Sequence, residues 1–181
     1  MLSTIKDKVE LRKAAKAAVK SIETEQKQLR SALIFKNILN LDSVKRAQTV
    51  ALYASLPDEV ASMEAVEAVA QQKRVVLPRV AGDSMEFYDY HSEQMSCGAF
   101  GISEPQGEQA VEPSDIDVII VPGVVFTRSG QRIGRGKGYY DKYLSRANFR
   151  ATKIGVCYSE QIAEQIDVEP HDIVMDCVVC G

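Results

Sequence analysis

Short, continuous runs of Val, Ile and other apolar residues are the feature that most constrains the fold of this chain. The strongest run spans residues 117–122, and similar runs span 74–78 and 153–158. Unbroken apolar runs, in place of strict alternation, are typical of strands that are covered on both faces. Helical stretches separate these runs. The pattern therefore predicts a three-layer α/β fold with a mainly parallel sheet, formed by a single domain over residues 1–181.

Other segments continue the alternation of helices and strands. Residues from about 5 to 40 contain strong helix formers and no Gly or Pro, and residues 58–73 place apolar side chains on one helical face. The first stretch is therefore predicted to be mostly helical and the second to be a helix. Residues 96–115 contain several Gly and Pro residues and are predicted to form the longest loop. Further strands are predicted at 49–53, 173–179 and, as an edge strand or hairpin arm, 85–88.

Charge and hydropathy argue against two broad classes of protein. The net charge of -3 lacks the basic excess with which general nucleic-acid binders meet phosphates. No window approaches about 18 consecutive apolar residues, so no membrane span is predicted. The first residues lack the apolar core and cleavage site of a signal peptide, and we therefore expect a cytoplasmic location.

The four cysteines form only one C-x-x-C pair, at Cys177 and Cys180, with Cys97 and Cys157 elsewhere. A structural zinc site would need a second pair at a suitable spacing. We therefore predict no metal site at the cysteines, and we expect free thiols that behave as small buried apolar residues.

A segment rich in glycine and cations follows the strongest predicted strand. Four glycines and three cations alternate within nine residues, namely Gly130, Arg132, Gly134, Arg135, Gly136, Lys137 and Gly138. Glycines let backbone N–H groups approach an anion, and arginine forks suit phosphate oxygens. A helix predicted to begin near Gly138, with Tyr140, Leu144 and Ala147 on its buried side, would add free N–H groups. Because ligands gather at the carboxyl ends of parallel strands, we predict a polyphosphate site here.

Two generic nucleotide motifs do not match this segment. Gln131 occupies the position of the first Gly of a P-loop, and Gly138 follows the Lys where Ser or Thr is required. The dinucleotide pattern also fails, because Tyr139 stands at its last Gly. A flexible basic surface loop remains an alternative. Asp141, directly after the segment, is interpreted either as a Mg²⁺ ligand beside bound phosphates or as a carboxylate that stabilises the helix dipole.

The strings PGVVF (122–126) and GQRIGRGKGYYD (130–141) resemble the signature of the 5-formyltetrahydrofolate cyclo-ligase family. Further similarities follow the same order along the chain, at Lys8-x-x-Leu11-Arg12, residues 53–60, residues 101–105, Tyr158-x-x-Gln161, residues 169–172 and Asp176. The resemblance covers the chain from Lys8 to Asp176. The sequence departs from the family pattern at Thr127-Arg128 and at Lys137, which adds charge to the predicted phosphate site.

The resemblance implies a Rossmann-like three-layer fold and an ATP- and Mg²⁺-dependent ligase. The reaction of the family converts 5-formyltetrahydrofolate and ATP to 5,10-methenyltetrahydrofolate, ADP and phosphate. The expected ligands are therefore 5-formyltetrahydrofolate, ATP as co-substrate and Mg²⁺, with no nucleic acid, membrane or obligatory protein partner.

The resemblance also implies roles for individual residues. The ATP-binding set would be Lys8, Arg12, Arg132, Ile133, Gly134, Arg135, Gly136, Lys137, Gly138, Tyr139 and Tyr140. The folate-binding set would be Ala54, Glu59, Arg135, Gly136, Lys137, Gly138 and Tyr139. Arg135, Lys137 and Tyr139 would be catalytic, and Asp141 and Asp172 would bind Mg²⁺.

From the residues alone, alternatives stay open. Lys8 and Arg12 could belong to a solvated basic helix face, Glu59 could stand at a helix N-terminus, Asp172 could be a turn residue, and Tyr140 could be core packing. A sugar-phosphate isomerase or CoA transferase could use a similar phosphate site without ATP. A non-catalytic folate-binding module would bind folate without consuming ATP.

Overall fold

The computed structural model describes residues 2, 7–98, 101–167, 169 and 171–181. The helices are α1 Lys8–Lys20, α2 Thr24–Leu39, α3 Asp42–Arg46, α4 Met63–Ala70 and α5 Tyr139–Leu144. The strands are β1 Thr49–Ala51, β2 Arg74–Ala81, β3 Ser84–Asp89, β4 Met95–Cys97, β5 Ser103–Pro105, β6 Val118–Pro122, β7 Val125–Thr127, β8 Arg132–Ile133, β9 Thr152–Cys157, β10 Ile162–Ala163 and β11 Cys177–Cys180.

The central sheet has six strands in the order β11-β9-β6-β1-β2-β3. All neighbours are parallel except β2 and β3, which form an antiparallel hairpin. Alternate residues of β6 enter two separate core clusters: Val118 and Ile120 pack in one, and Ile119 and Val121 in the other. Both faces of the sheet are thus covered. The predicted α/β fold with a mainly parallel sheet is confirmed, whereas the extent of a single domain stays a prediction.

The N-terminal helical region consists of two helices, and not one continuous stretch. Asp7 caps α1 by accepting hydrogen bonds at 2.9 Å from the N–H groups of Val9 and Glu10. The helix ends at Lys20 and α2 begins at Thr24, so the described part of 5–40 is mostly helical, as predicted, with a short break that was not predicted. Residues 5 and 6 of that prediction lie outside the described residues.

The helix predicted over residues 58–73 begins only at Met63. Before it, the chain from Leu52 to Ser62 has no regular secondary structure. The backbone there bonds to side-chain hydroxyls: the hydroxyl of Tyr53 donates to the Val60 carbonyl at 2.7 Å. Such local bonds replace helix formation and explain the error.

Other boundaries also differ from the predictions; β1, for example, ends at Ala51 and not at residue 53. Residues 96–115 are not one loop, because β4 and β5 pair as an antiparallel hairpin there. The last strand is β11, which begins only at Cys177, so residues 173–176 do not belong to it. Helix α5 ends at Leu144, which leaves Ala147 exposed, and Tyr143 takes the buried position on this helix.

A second, three-stranded sheet in the order β10-β7-β8 was not predicted. It includes the first part of the glycine-rich segment, because β7 and β8 pair in antiparallel fashion with Phe126 opposite Arg132. Gly130 makes the turn between them with a φ of +95°. The N–H of Met175 donates to the Gly130 carbonyl at 2.8 Å, which ties the C-terminal segment to this turn.

The helices and the cysteines bear on two expectations from composition. Among the described residues, no helix is long and apolar enough to cross a membrane. In the same part of the chain the four cysteines are free thiols. Cys157 is buried as expected, but Cys177 and Cys180 are only half-buried and Cys97 is exposed on β4, so the expectation of buried cysteines was wrong for these three.

We predict that Gly130→Ala destabilises the fold. An added Cβ would clash with the Met175 carbonyl oxygen, and the left-handed backbone adds further strain. The free energy of unfolding in urea should fall by about 2–5 kcal/mol. Gly82→Ala is the matched control: its φ is +59° and no described atom lies within 4 Å of the added Cβ, so it should cost only about 1–2 kcal/mol. Equal losses in the two variants would contradict the packing at Gly130.

Candidate active site

A cavity of about 320 Å³ opens where β6 ends and the glycine-rich segment begins. Its position beyond the carboxyl end of a parallel strand agrees with the general rule for α/β sheets. The predicted ATP-binding and metal-binding residues all line it: Lys8, Arg12, Arg132, Ile133, Gly134, Arg135, Gly136, Lys137, Gly138, Tyr139, Tyr140, Asp141 and Asp172. Residues that lie far apart in the sequence thus meet in one cavity.

Arg132 is the buried cation of this cavity, with only 4% of its side chain exposed. Its Nη2 donates to Asp141 Oδ2 at 2.8 Å, and its Nη1 donates to the Pro122 carbonyl at 3.3 Å. The guanidinium carbon lies 5.6 Å from the centroid of the Tyr140 ring. A flexible basic surface loop is therefore excluded for this part of the segment, because Arg132 and Ile133 form a buried strand.

The two predicted metal ligands approach each other through the C-terminal segment. The N–H of Ile173, next to Asp172, donates to Asp141 Oδ1 at 3.3 Å. Asp172 Oδ2 accepts from the Glu169 N–H at 2.8 Å and from Lys8 Nζ at 3.0 Å. Although burial raises the pKa of Asp172, these two donors lower it more, so the pKa lies below its ordinary value. Pro170, part of the same predicted motif, lies outside the described residues.

The donor set of this cavity suits a hard cation. Mg²⁺ is typically held by one or two carboxylates together with phosphate oxygens and waters, and Asp141 and Asp172 provide two carboxylates. In the part of the chain that the structure describes, no group of three or more His, Cys, Asp or Glu side chains could hold a metal. The two carboxylates are instead neutralised by Arg132 and Lys8.

Helix α1 supplies the other wall of the cavity. Lys8 and Arg12 lie four residues apart and both face the cavity, so the solvated-face alternative is wrong for them. Arg12 Nε donates to the Gly134 carbonyl at 2.8 Å and so holds the glycine-rich segment against the helix.

Lys137 is exposed and forms no hydrogen bond or ion pair with a described residue. Gly136 and Gly138 have φ values of +100° and +69°.

A smaller, mostly apolar pocket of about 120 Å³ adjoins the first cavity. Ala54 lines only the smaller pocket, and Gly136, Lys137 and Gly138 line only the larger cavity, so the predicted folate set is divided between them. The side chains shared by both are Glu59, Pro122, Arg135, Tyr139 and Tyr140. The predicted ATP and folate residues therefore meet at a common boundary.

Glu59 and Arg135 form this boundary as an ion pair. Nε and Nη2 of Arg135 both lie 3.1 Å from Glu59 Oε1, and Nη2 also pairs with Asp58. Glu59 Oε2 accepts from the Leu56 N–H at 2.9 Å. Burial raises the pKa of Glu59, and the Leu56 N–H and Arg135 offset this only in part. The alternative that Glu59 stands at a helix N-terminus is wrong, because α4 begins at Met63.

Two tyrosines complete the boundary. The hydroxyl of Tyr139 donates to the Gly82 carbonyl at 3.1 Å, which links the start of α5 to the turn between β2 and β3. Tyr140 is half-buried and lines both pockets, and burial raises the pKa of its hydroxyl. Its ring also packs against the core cluster beside α5, so packing and site placement are both found for this residue.

Several residues near the site were not assigned from the sequence. Asp58 pairs with Arg135, Glu169 pairs with Lys8, and Glu104 is a buried carboxylate in the lining of the smaller pocket. Each lies within a segment that resembles the family, at 53–60, 169–172 and 101–105, but none was given a role. Only the fold brings them to the cavity, since hydrophobic patterns carry no signal for such contacts.

The fold and the site define a three-layer α/β protein in which a cationic cavity with two carboxylates adjoins an apolar pocket. Residues 4–181 match the model of the 5-formyltetrahydrofolate cyclo-ligase family. The chain belongs to this family, and the prediction of an enzyme of this kind is confirmed.

Relatives and solved structures agree with this assignment. The chain is 33% identical to the probable 5-formyltetrahydrofolate cyclo-ligase of Schizosaccharomyces pombe, over 82% of each chain. It is 32% identical to the 5-formyltetrahydrofolate cyclo-ligase of Saccharomyces cerevisiae, over 94% of this chain and 93% of that protein. The structure of a 5,10-methenyltetrahydrofolate synthetase from Aquifex aeolicus matches with a TM-score of 0.86 and 36% identity, over 96% of this chain and 89% of that chain.

The pKa of Glu59 is raised and that of its neighbour Asp58 is lowered, so ionisation of the two carboxyl groups should change the stability of the fold in opposite directions. A folded-state pKa above the ordinary 4.5 means that ionised Glu59 destabilises the fold at neutral pH, and this cost vanishes below about 4.5. Glu59→Gln should therefore raise the free energy of unfolding at neutral pH, and the gain should shrink as the pH falls towards 4.5.

Asp58→Asn is the matched control, measured by urea unfolding across the same pH range. Burial raises the pKa of Asp58, but Arg135 lowers it more, so the net shift is downward from 3.8. Ionised Asp58 thus stabilises the fold above that pH, and the amide should be less stable than the wild type at neutral pH. A loss of stability in both variants would contradict the environment described for Glu59.

Proposed function

We propose that this chain catalyses the ATP- and Mg²⁺-dependent cyclisation of 5-formyltetrahydrofolate to 5,10-methenyltetrahydrofolate, with release of ADP and phosphate. One observation carries the proposal: the cationic cavity and the apolar pocket share the Glu59–Arg135 pair. Phosphoryl transfer from ATP to a folate needs the charged nucleotide and the flat pterin held side by side, and two joined pockets of opposite character would supply this.

The larger cavity is the proposed ATP site. Lys137 and Arg12 offer cations, and the open backbone at Gly136 and Gly138 offers close approach to phosphate oxygens. Arg132 is already committed to Asp141 and to a carbonyl, so its role is to hold the cavity wall. Ile133 packs its side chain in the cluster beside α1, and it would therefore contribute through its backbone.

Mg²⁺ would be held by Asp141 and Asp172, where it would neutralise charge on the phosphates of ATP. In the structure the ammonium of Lys8 donates a hydrogen bond to the Asp172 carboxylate. We propose that the ammonium of Lys8 moves to a phosphate oxygen when Mg-ATP binds. Lys8 would thereby serve the nucleotide, as the family resemblance implies, from its present position in the cavity wall.

The smaller pocket is the proposed site for the pterin ring of the folate. The Glu59 carboxylate would accept hydrogen bonds from N–H groups of the aminopyrimidinone, a charge-assisted pairing. Ala54 would contact the ring within the apolar wall, and Tyr139 would stack on it or donate through its hydroxyl. Arg135, at the boundary, could leave Glu59 and approach the phosphoryl group in transit.

The chemistry begins with a poor leaving group, the amide-like oxygen of the N5-formyl group. Attack of this oxygen on the γ-phosphorus of ATP forms an imidate phosphate and releases ADP. N10 then attacks the activated carbon, loses its proton and closes the ring, and the former formyl oxygen departs with inorganic phosphate. Arg135 and Lys137 would neutralise the charge that develops on the phosphoryl oxygens, while Tyr139 would orient the formyl group.

The two alternative functions would not need all the residues that this site contains. A sugar-phosphate isomerase has no need for an apolar pocket beside the phosphate cavity. A non-catalytic folate-binding module has no need for Lys8, Lys137, Asp141 and Asp172 in one cavity. No observation favours either reading over the cyclo-ligase.

The proposed function is tested by absorbance in the near-ultraviolet band of methenyltetrahydrofolate, with purified protein, 5-formyltetrahydrofolate and Mg-ATP. We expect a rise that disappears when ATP is left out or when EDTA removes the divalent cation. No rise with folded protein and all three components would contradict the proposal. Folate binding without ATP consumption would support the non-catalytic module instead.

We predict that Asp141→Asn reduces kcat by a factor of about 10²–10³, because a neutral amide is a weak Mg²⁺ ligand. The single amide oxygen can accept from Arg132 or from Ile173 but not from both, so the variant should also be less stable, and the rates must be measured below its melting temperature. Rates at saturating Mg-ATP and a thermal melt give the two readouts. Near-normal magnesium-dependent turnover would remove Asp141 from the site.

We also predict that Glu59→Ala raises the KM for 5-formyltetrahydrofolate much more than the KM for ATP. The carboxylate is the proposed partner of the pterin, and a charge-assisted hydrogen bond of about 1.5–3 kcal/mol corresponds to roughly a 10- to 150-fold change. Steady-state kinetics with each substrate varied in turn will measure this. Equal changes in both KM values would argue against the pterin role.

A further inference from the structure

Glu59 lies on a stretch of chain that is itself neither helix nor strand. Residues 52–62 have no regular secondary structure, yet only 9% of the Glu59 side chain is exposed. A carboxylate that recognises a ligand must be held within a fraction of an ångström, and an irregular segment needs other contacts to achieve this.

Hydrogen-bonded hydroxyls from two distant elements supply those contacts. The N–H of Ala61 donates to Ser31 Oγ at 3.0 Å. Ser31 Oγ lies 3.0 Å from the Tyr158 hydroxyl, which donates to the Glu59 carbonyl at 3.2 Å. Since Tyr158 uses its proton for Glu59, Ser31 must donate to Tyr158. One directional chain thus runs from the backbone of Ala61 through two side chains to the backbone of Glu59.

These hydrogen bonds hold the two residues on either side of Val60, which is buried. The Val60 carbonyl accepts from the Tyr53 hydroxyl at 2.7 Å, so three consecutive residues have backbone groups bonded to side chains. Buried backbone groups need partners, and here side-chain hydroxyls act in place of a neighbouring strand. The position of Glu59 therefore depends on where Tyr158 and Ser31 lie.

Tyr158 is itself fixed from both sides. Its backbone N–H donates to Gln161 Oε1 at 2.9 Å, and Gln161 Nε2 donates to the carbonyls of Gly123 and Val124 at 2.9 and 3.0 Å. The guanidinium carbon of Arg30 lies 5.2 Å from the centroid of the Tyr158 ring, which is fully buried. The hydroxyl thus projects from a rigid base that spans α2 and the turn after β6.

We propose that Tyr158 is a positioning residue for folate recognition, acting through the backbone of Glu59 and assisted by Ser31. This inference rests on the proposed function, since it assumes that Glu59 binds the pterin. Tyr158 does not line either pocket, so it would affect the substrate only through Glu59.

Tyr158→Phe removes the hydroxyl alone and tests the proposal. We expect the KM for 5-formyltetrahydrofolate to rise about 3- to 10-fold, the scale of one buried hydrogen bond, with the KM for ATP changed less than about 2-fold. In a Glu59→Ala background the same substitution should leave the folate KM unchanged, because the group through which it acts is absent. A folate KM that stays at the wild-type value, or an effect that persists without the Glu59 side chain, would overturn the proposal.

Tyr143→Phe is the matched control. Tyr143 is equally buried, but its hydroxyl has no hydrogen-bond partner among the described residues. Removing it should leave both KM values unchanged. A similar rise in folate KM in this variant would mean that any lost buried hydroxyl loosens the site, and it would overturn the specific role of Tyr158.

Hydrogen exchange on the free protein separates this inference from the proposed function. The Ala61 amide should exchange faster in Tyr158→Phe than in the wild type, since the loop loses the bond to the Glu59 carbonyl and Ser31, the acceptor of the Ala61 N–H, loses the Tyr158 hydroxyl that orients it. Unchanged exchange would overturn the positioning role even if turnover is normal. Faster exchange in a protein that neither binds nor converts 5-formyltetrahydrofolate would leave Tyr158 as the support of the loop and overturn only the folate assignment.

Discussion

The guanidinium of Arg132 is a buried charge, and the site is built around the need to pair it. Burying an unpaired cation would cost several kcal/mol, so moving its partners away would destabilise the fold. These partners are Asp141 on α5, the Pro122 carbonyl at the end of β6 and the face of Tyr140. One side chain thus sets the relation between the central sheet, the small sheet and the helix that carries a proposed metal ligand.

A second ion pair joins the two proposed substrate sites. Glu59 would bind the pterin and Arg135 would approach the phosphoryl group in transit, and in the structure the two side chains bind each other. Lys8 and Asp172 show the same arrangement at the proposed metal site. The charges that would meet ATP, Mg²⁺ and folate are therefore neutralised in pairs, which lowers the cost of placing them together in one site.

The sequence was sufficient for the parts of the fold that follow from local pattern. Continuous apolar runs predicted β2, β6 and β9, and the spaced glycines predicted an open backbone, which agrees with the positive φ values of Gly130 and Gly136. The extended segment before Met63 was misread as helix because its bonds run to Tyr53, Ser31 and Tyr158, two of which are distant in the sequence. Lys8 and Asp172 lie 164 positions apart, so only tertiary structure could reveal that they pair.

The central claim is that one site activates the formyl oxygen with ATP, and the fate of that oxygen tests it most directly. With 5-formyltetrahydrofolate carrying ¹⁸O in the formyl group and unlabelled Mg-ATP, each inorganic phosphate released should contain one ¹⁸O atom. Transfer of the phosphoryl group to the formyl oxygen requires this result, because that oxygen leaves with phosphate. Unlabelled phosphate, formed while methenyltetrahydrofolate accumulates, would contradict the account.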